Sequence, residues 1–479
     1  MKTYAWLRRA LVAAGGGVVL FLVLTHGQGY VTDPDTLAAL IVFELILAAV
    51  WSYKTRFFLV VLGAFLCAGI GFPFRMAWTS GRWFVLAIAA LTGFVLFLKD
   101  RQLHLNAFHF AAFICAGTAL ISVAVSGFPQ VALFKSLSLI LLFLYSATGV
   151  RLGALGRERE FLSAFVIGSE GLVYVAAIAY FGFRYPLLGN PNSLGALMGV
   201  VAAPVFLWGA LTKEDRMQRV RFTFPLLVSL LLLFSSYARA GIMAAACSCL
   251  LLCLTLRRYA VLVKWTAIAL LLAAGAAAFM PREDQPSQSL TTTFLYKGQR
   301  EQGLLGSRRS VWEETVGVIQ EHPWMGVGFG TSKTSDEENQ AQLVALRSQA
   351  PTTREHGSSY LAITEWVGLL GDVPFVCLLC MVVANLGRVL TVLRRSGSAT
   401  SPVVPIALVV AAGLVHAAFE DWLFAVGYYL CVLFWSFAFV LADLAPRPAT
   451  SVVAAREDEP CLWPDHPRSL SPLDHASVS

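Results

Sequence analysis

Charged residues are scarce in this chain. They make up 14% of its 479 residues, whereas hydrophobic residues make up 57%, and soluble domains usually carry about 25% charged residues. Apolar runs of about 20 residues, long enough for a helix to cross a bilayer, recur along almost the whole sequence. These runs also lack the alternation of apolar and polar residues that marks a barrel strand. The composition therefore excludes a soluble protein and predicts an all-α, polytopic transmembrane helical bundle.

The apolar runs predict about 12–14 membrane spans. Because some predicted spans are joined by very short turns, the number of spans is less certain than the fold class. The predicted spans cover residues 10–25, 36–51, 57–72, 83–98, 107–125, 130–150, 161–181, 193–211, 222–237, 240–256, 261–280, 358–385, 402–418 and 422–443.

The net charge of +7 is distributed unevenly between the two predicted sides. With the N-terminus inside, roughly twenty lysines and arginines fall in the short inside segments, as the positive-inside rule requires. The short outside segments hold five, namely Arg75, Arg82, Lys135, Arg184 and Arg239. This bias predicts that both termini are cytoplasmic and that the long loop lies outside.

Four segments follow from this topology. Residues 1–280 form an N-terminal transmembrane bundle of about 11 spans, and residues 281–357 form a large outer loop. Residues 358–443 form the C-terminal spans, and residues 444–479 are a proline-rich, disordered cytoplasmic tail.

The outer loop contains no cysteine, so it has no disulfide framework. Two capping-box patterns predict short helices instead, one starting at Ser310 with Glu313 and one at Ser335 with Glu338. Pro323 and the glycines after it would end the first helix. We expect both helices to lie over the outer membrane surface, and the alternative is an unstructured loop.

A charged trio, Arg354, Glu355 and His356, stands directly before an apolar run that contains Glu365. The opposite charges beside His356 compete to set its pKa, which makes it a candidate general base. Ser358 and Ser359 can cap the helix that follows. The alternative for His356 is an interfacial polar residue.

Outer arginines accompany this histidine. Arg239 lies at the turn between two spans, and Arg308 and Arg309 directly precede the predicted helix at Ser310. Guanidinium groups and helix N-termini both bind phosphate. Together with His356 they predict a site for an anionic ligand that carries pyrophosphate, and the alternative for each arginine alone is a lipid-headgroup contact.

Several polar groups have two interpretations. Glu44, Glu170, Glu365 and Asp372 lie within apolar runs, where acids serve proton coupling or pair with cations. Glu420 and Asp421 form an acidic pair at the last outer turn and could orient an arginine or an acceptor. Asn192 or Ser193 can cap a helix after the turn at Pro191, and a structural role is the default there.

Four motifs in order resemble the O-antigen ligase and polymerase family of bacterial envelope membrane proteins. The resemblance covers roughly residues 187–440 and includes the large loop before the last spans. The motifs are "GNPNSLGALM", "SSYARAG", "SRRSVWEETVGVIQEHPWMGVGFG" and "HGSSYLAITEWVGLLG".

The resemblance implies an enzyme of the bacterial inner membrane. Such a protein transfers a glycan from an undecaprenyl-pyrophosphate carrier to a hydroxyl acceptor at the periplasmic face, without metal or other cofactor and without any nucleic-acid partner. The acceptor is lipid A–core for a ligase, a growing polysaccharide for a polymerase, or a protein hydroxyl. The high span count and the proline-rich tail leave the subtype open.

Residue roles carry over by motif. His356 resembles the family's essential loop histidine, Arg239 resembles the arginine of its short outer loop, and Arg308 has the family's spacing to Trp312. The predicted site residues are His356 as the catalytic group, four donor-binding arginines and three supporting residues. The arginines are Arg239, Arg308, Arg309 and Arg354, and the supporting residues are Glu365, Asn192 and Glu420.

A polytopic transporter or lipid flippase of envelope precursors is the alternative function. Such a protein would also carry acids within its spans, and it would have paired broken helices near the membrane midplane and an internal repeat between its halves. The sequence contains no visible repeat, and its outer loop carries structure signals, so glycan transfer is favoured.

Overall fold

A computed structural model describes residues 53–70, 75–99, 104–185, 187–279, 306–332, 354–397 and 399–446. Two predicted spans, 10–25 and 36–51, lie outside these residues, as do the second capping box and residues 447–479 of the predicted tail. Every regular element in the described ranges is helical, which confirms the all-α class.

Thirteen helices, labelled in chain order, make up the described part of the chain. They are α1 (Tyr53–Gly69), α2 (Arg75–Lys99), α3 (Ala107–Val125), α4 (Pro129–Ala154), α5 (Glu158–Gly182), α6 (Pro191–Thr212), α7 (Arg216–Ser235), α8 (Arg239–Thr255), α9 (Tyr259–Phe279), α10 (Gly306–Glu321), α11 (Ser359–Ser396), α12 (Val403–Ala417) and α13 (Tyr429–Leu444).

Seven of the described helices are long and apolar enough to cross a membrane, and five shorter apolar helices accompany them. Together they correspond to the predicted spans from 57–72 onward. α11 extends to Ser396, well past the predicted end at residue 385. Hydropathy located these helices correctly because burial in lipid and burial in protein select the same side chains.

The last span begins later than predicted. α13 starts at Tyr429 rather than at residue 422, because residues 418–428 form an irregular connection. Trp422, Leu423 and Phe424 are apolar because this connection packs into the protein core, where they are at most 5% exposed. Hydropathy alone does not distinguish such a buried loop from the first turns of a helix.

α13 is the most buried helix of the C-terminal part. Its residues from Tyr429 to Leu441 are all buried. The Trp435 indole N–H donates to the carbonyl oxygen of Leu423 at 2.7 Å, which ties the helix to the connection before it. Trp435 also packs edge-to-face on Phe143 of α4, with ring centroids 5.0 Å apart. The connection is therefore held from within the core.

Two predicted helix starts are wrong. α10 begins at Gly306, so Ser310 lies inside the helix and does not cap it, and Arg308 and Arg309 belong to the first turns. α6 is capped by Asn190, whose side chain accepts from the Ser193 N–H at 2.7 Å, and not by Asn192 or Ser193. Pro191 takes the first helical position because its missing N–H is not needed there.

α11 is interrupted at Gly368, which has a φ of 69°. The segment of residues 323–332, called here the glycine segment, docks onto this break. The Val327 N–H donates to the Glu365 carbonyl at 3.0 Å, and the Leu369 N–H donates to the Pro323 carbonyl at 2.7 Å. Backbone groups freed by the break are therefore satisfied by protein, as a membrane-embedded segment requires. The part of the outer loop directly after α10 therefore inserts between helices.

The docking requires glycine at two positions. A Cβ at Gly326 would lie 2.5 Å from the carbonyl oxygen of Glu365, and a Cβ at Gly368 would overlap the carbonyl carbon of Trp324. Both residues also have positive φ values, which L side chains rarely adopt. The glycines after Pro323 thus do more than end α10, because Gly326 also allows the backbone of the glycine segment to approach the backbone of α11.

We expect Gly368→Ala to destabilise the protein by about 1–3 kcal/mol, because the new methyl group meets backbone and the φ is positive. Gly387→Ala is the matched control on α11, since no atom lies within 4 Å of its added Cβ. Thermal unfolding in detergent micelles, followed by intrinsic fluorescence, measures both variants. Equal unfolding midpoints for the two variants would contradict the proposed contact.

Candidate active site

His356 lies in the short loop that leads into α11, and its side chain is completely buried. Its Nδ1 atom lies 3.0 Å from Oδ2 of Asp421 in the 418–428 connection. The backbone N–H of His356 donates to the same oxygen at 3.0 Å. One carboxylate therefore fixes both the position and the ring orientation of this histidine.

The other ring nitrogen faces two oxygen atoms. Nε2 of His356 lies 3.1 Å from the Ser332 hydroxyl and 3.3 Å from Oε1 of Glu365. The Trp366 ring packs edge-to-face against the imidazole, with centroids 5.4 Å apart. Ser332 belongs to the glycine segment, Glu365 to α11 and Asp421 to the 418–428 connection, so three separate parts of the chain meet at this ring.

Glu365 is paired on its other side. Arg354 donates from Nη2 to Oε2 of Glu365, whose side chain is fully buried. Nη1 of Arg354 also lies 3.5 Å from Oε1 of Glu314 on α10. Of the two roles considered for Glu365, the structure therefore supports pairing with a cation.

The remaining acids within the apolar runs are also partnered where the structure describes them. Glu170 of α5 pairs with Arg221 of α7 at 2.9 Å. Asp372 accepts from the Thr364 hydroxyl at 2.9 Å. Glu44 lies outside the described residues.

Arg308 projects from the first turns of α10 into the same region. It donates to the carboxylates of both Glu355 and Glu420. Arg309, the neighbouring candidate, points away, since its side chain is 78% exposed and pairs with Glu313 at 2.8 Å. The structure thus brings Arg308 into the cluster and leaves Arg309 outside it.

The spacing between Arg308 and Trp312 has a structural reason. The two residues are one helical turn apart on α10, and so they lie on the same face. The Trp312 indole N–H donates to the Gly357 carbonyl at 3.0 Å, directly after His356. A Cβ at Gly357 would lie 3.0 Å from the Trp312 nitrogen. This face of α10 therefore holds the histidine loop and delivers Arg308 beside it.

The connection before α13 is fixed by backbone contacts. The Ser359 N–H and hydroxyl both donate to the Glu420 carbonyl, at 3.1 and 2.6 Å. The Ser359 hydroxyl in turn accepts from the Leu423 N–H at 3.0 Å. Ser358 occupies the predicted cap position of α11, but its side chain makes no capping bond. Ser359 thus fixes the backbone of the turn that carries Glu420 and Asp421.

Arg239 is half-buried at the start of α8, near enough to Arg308 for the two charges to repel each other. Asn192 is exposed on the first turn of α6. The backbone carbonyl of the next residue, Ser193, accepts from the Tyr429 hydroxyl at 3.1 Å, so this turn packs beside the start of α13. The first and second resemblance motifs therefore flank the same region as His356.

The buried charges set the protonation of His356. Burial alone lowers its pKa, but the hydrogen bonds and charges of Asp421 and Glu365 outweigh burial and raise the pKa above 6.5. Burial likewise raises the pKa of Asp421, but hydrogen bonds from the His356 ring and backbone bring it below the usual value. The two carboxylates beside the ring therefore favour its protonated form.

Sequence reasoning identified His356, Arg308, Arg354, Glu365 and Glu420, which all lie in this cluster. It noted Asp421 as one of an acidic pair without connecting it to the histidine, and it missed Ser332. The pairing of Asp421 with His356 spans 65 positions, so no local spacing could reveal it.

No group of three or more metal-ligating side chains is arranged to hold a metal ion within the described ranges. The positive charge of the cluster comes instead from Arg239, Arg308 and Arg354.

Part of this region matches a known family. Residues 224–376 match the family model described as O-antigen ligase. The resemblance to the O-antigen ligases is confirmed. The match includes Arg239, Arg308, Arg354, His356 and Glu365, whereas Glu420 and Asp421 lie beyond it. No curated protein matches the chain. The O-antigen ligase domain supports a multi-pass envelope enzyme that transfers glycans.

The raised pKa of His356 predicts a pH-dependent stability. Because the folded-state pKa exceeds the unfolded value of about 6.5, the stabilisation is fully present below that pH and is lost as the pH rises through the folded-state pKa. The difference in thermal midpoint between the wild type and His356→Gln should therefore shrink from pH 6 toward alkaline pH.

Thermal unfolding in micelles across this pH range measures the effect. His322→Gln removes an exposed histidine outside the cluster and serves as the control. A constant difference at all pH values for His356→Gln, or a parallel trend in His322→Gln, would contradict the assignment.

Proposed function

We propose that this protein transfers a glycan from an undecaprenyl-pyrophosphate carrier to a hydroxyl acceptor at the periplasmic face of the bacterial inner membrane. The observation that carries the proposal is the buried imidazole held between Asp421 and Glu365, with Arg354 paired to Glu365 and Arg308 paired to Glu420 beside it. A base beside cations matches the two needs of the reaction, an activated hydroxyl and a stabilised pyrophosphate leaving group.

The arginines bind the donor in this proposal. The pyrophosphate lies against Arg308 and Arg239, and its polyprenyl tail lies in the bilayer. When no donor is bound, the Arg308 guanidinium forms ion pairs with Glu355 and Glu420. The Glu355 side chain is 60% exposed, whereas the Glu420 backbone is tied to Ser359. The incoming pyrophosphate therefore displaces Glu355 and leaves Glu420 to orient the guanidinium.

His356 activates the acceptor. Asp421 keeps a proton on Nδ1, and the acceptor hydroxyl takes the position of the Ser332 hydroxyl at Nε2. The acceptor oxygen attacks C1 of the carrier-linked sugar as the bond from C1 to the pyrophosphate oxygen breaks. The hydroxyl proton passes to Nε2, and the carrier leaves as undecaprenyl pyrophosphate. Attack opposite the leaving group inverts the configuration at C1, as the resemblance implies for the ligases.

Arginine charge takes the place of a metal ion in this mechanism. Charge develops on the pyrophosphate as the C1–O bond breaks, and fixed guanidinium groups stabilise it without reorganisation. The bidentate geometry of arginine suits phosphate oxygens. The proposal therefore needs no cofactor.

The topology supports a periplasmic site. The positive-inside rule predicts that residues 281–357, the start of α8 and the turn at Glu420 share the outer side. Arg308, Arg239 and Glu420, one from each of these regions, contribute to the cluster. With this orientation both termini are cytoplasmic, and residues 1–280 and 358–443 form the two membrane parts on either side of the loop.

Three acceptors suit the site, namely lipid A–core, the next carrier-linked repeat unit, and a serine or threonine of a protein. The deciding experiment deletes the gene in its host and complements the deletion with the wild type or His356→Ala. The expected result is that the wild type restores the missing glycan and His356→Ala does not. Mass spectrometry of carrier-linked glycans, lipid A–core and secreted polysaccharide gives the readout.

The pool that accumulates in the deletion strain names the acceptor. Long carrier-linked chains beside bare core indicate a ligase, and single repeat units without polymer indicate a polymerase. If His356→Ala restored every pool as well as the wild type does, the catalytic role of His356 would be wrong, and a transporter would become the better hypothesis.

The same assay accommodates a matched pair of arginine variants. Arg308→Gln should reduce transfer roughly 100-fold, because one donor to the leaving group is lost. Arg309→Gln should stay within about twofold of the wild type, since it removes an exposed ion pair. Equal losses for both variants would contradict the assignment of Arg308.

A further inference from the structure

Two cations of the N-terminal helices have no role in the proposed reaction. Lys135 of α4 and Arg82 of α2 were both predicted on the outer side, where the positive-inside rule disfavours them. Each donates to a backbone carbonyl of a site-forming segment. The Lys135 ammonium donates to Gly330 at 2.5 Å, and the Arg82 guanidinium donates to Gly427 at 2.7 Å.

The contact from Lys135 holds the part of the glycine segment that carries Ser332. A Cβ at Gly330 would overlap Cδ of Lys135, so the lysine stem packs directly on this turn. Two further contacts from the end of α3 fix the turn, with Ser122 accepting from the Phe329 N–H at 3.0 Å and Ser126 lying 3.1 Å from the Thr331 hydroxyl. The next residue is Ser332, whose hydroxyl lies 3.1 Å from Nε2 of His356. Lys135 is thus connected to the base through two residues of backbone.

Lys135 also acts on the other side of the imidazole. It lies near enough to the Asp421 carboxylate for electrostatic attraction, and that carboxylate holds Nδ1 of His356. Because its ammonium is fixed at Gly330, two residues from Ser332, Lys135 also places a positive charge near the imidazole, and a nearby positive charge favours the neutral ring.

The other charged groups near His356 come from the remaining elements packed around it. Glu365 of α11 favours the imidazolium, and its partner Arg354 opposes this effect. Arg308 of α10 is neutralised by Glu355 and Glu420. Lys135 is therefore the charge that α4 contributes to this balance.

We propose that Lys135 is a positioning residue for the transfer reaction, holding Ser332 at Nε2 of His356 and poising the ring toward the neutral form that accepts a proton. The catalytic meaning of this inference rests on the proposed function, whereas its effect on the His356 ring does not. Arg82 is the matched comparison, because it anchors the 418–428 connection through the Gly427 carbonyl and stacks over Trp83 at 5.0 Å.

The test is a titration of the His356 ring in the full-length protein. Protein labelled with ring-¹⁵N histidine is placed in lipid nanodiscs, and the His356 signal is assigned by its absence in His356→Gln. Lys135→Met should raise the titration midpoint by at least about half a pH unit, because a nearby cation is lost. Arg82→Met should leave the midpoint at the wild-type value.

Two further variants keep the test valid if Lys135→Met does not fold. Lys135→Gln keeps a donor near Gly330 without the charge and should raise the midpoint, whereas Lys135→Arg keeps the charge and should not. An unchanged midpoint in the folded uncharged variants, or an equal shift in Arg82→Met, would overturn the proposal. Because the titration needs no turnover, this outcome is independent of whether the proposed function is correct.

Kinetics with a polyprenyl-pyrophosphate-linked oligosaccharide add a second readout. Lys135→Gln should lower kcat roughly tenfold or more through a misplaced base, leave KM for the donor within about twofold, and move the acid limb of the pH profile upward. A raised KM with kcat and the pH profile unchanged would make Lys135 a donor ligand and overturn the positioning role.

Discussion

A chain of paired ionisable groups, Asp421, His356, Glu365 and Arg354, is the interaction on which the rest of the site depends. The imidazole and the Glu365 carboxylate are both completely removed from solvent. Burying charges costs more free energy than a single ion pair returns unless each charge keeps a well-placed partner. Because every member has such a partner, the chain holds together, and displacement of any one member would leave a buried charge uncompensated. The surrounding scaffold must therefore place four segments accurately, namely the loop before α11, α11 itself, the 418–428 connection and the glycine segment.

The break in α11 supplies much of that accuracy. At Gly368 the helix gives up its regular hydrogen bonds, and the glycine segment takes them over through Val327 and Leu369. The same segment then delivers Ser332 to His356, while the intact first turns of α11 deliver Glu365. Irregular backbone at this depth is stable because it is enclosed by protein. The glycines of the loop thus help to place Ser332 at His356, because they allow the glycine segment to contact the backbone of α11.

The sequence predicted what depends on composition and short spacing. Apolar runs located the described spans, and motif order identified His356 and Arg308. The break at Gly368 was not predicted, because the apolar run continues through it. Asp421 was not connected to His356, since the contact joins positions 65 apart. Arg308 and Arg309 differ by about 100° around their helix, and only the placement of Glu420 and Glu355 distinguishes them. Contacts between distant segments were beyond the reach of local patterns.

The most direct measurement is turnover by the purified protein in nanodiscs. A polyprenyl-pyrophosphate-linked oligosaccharide is supplied as donor, with lipid A–core or a second donor molecule as acceptor, and mass spectrometry follows the released carrier pyrophosphate and the joined glycan. The account predicts both products with the wild type and neither with His356→Ala. Movement of intact donor across a bilayer, with no cleavage of the bond between C1 and the pyrophosphate, would contradict it.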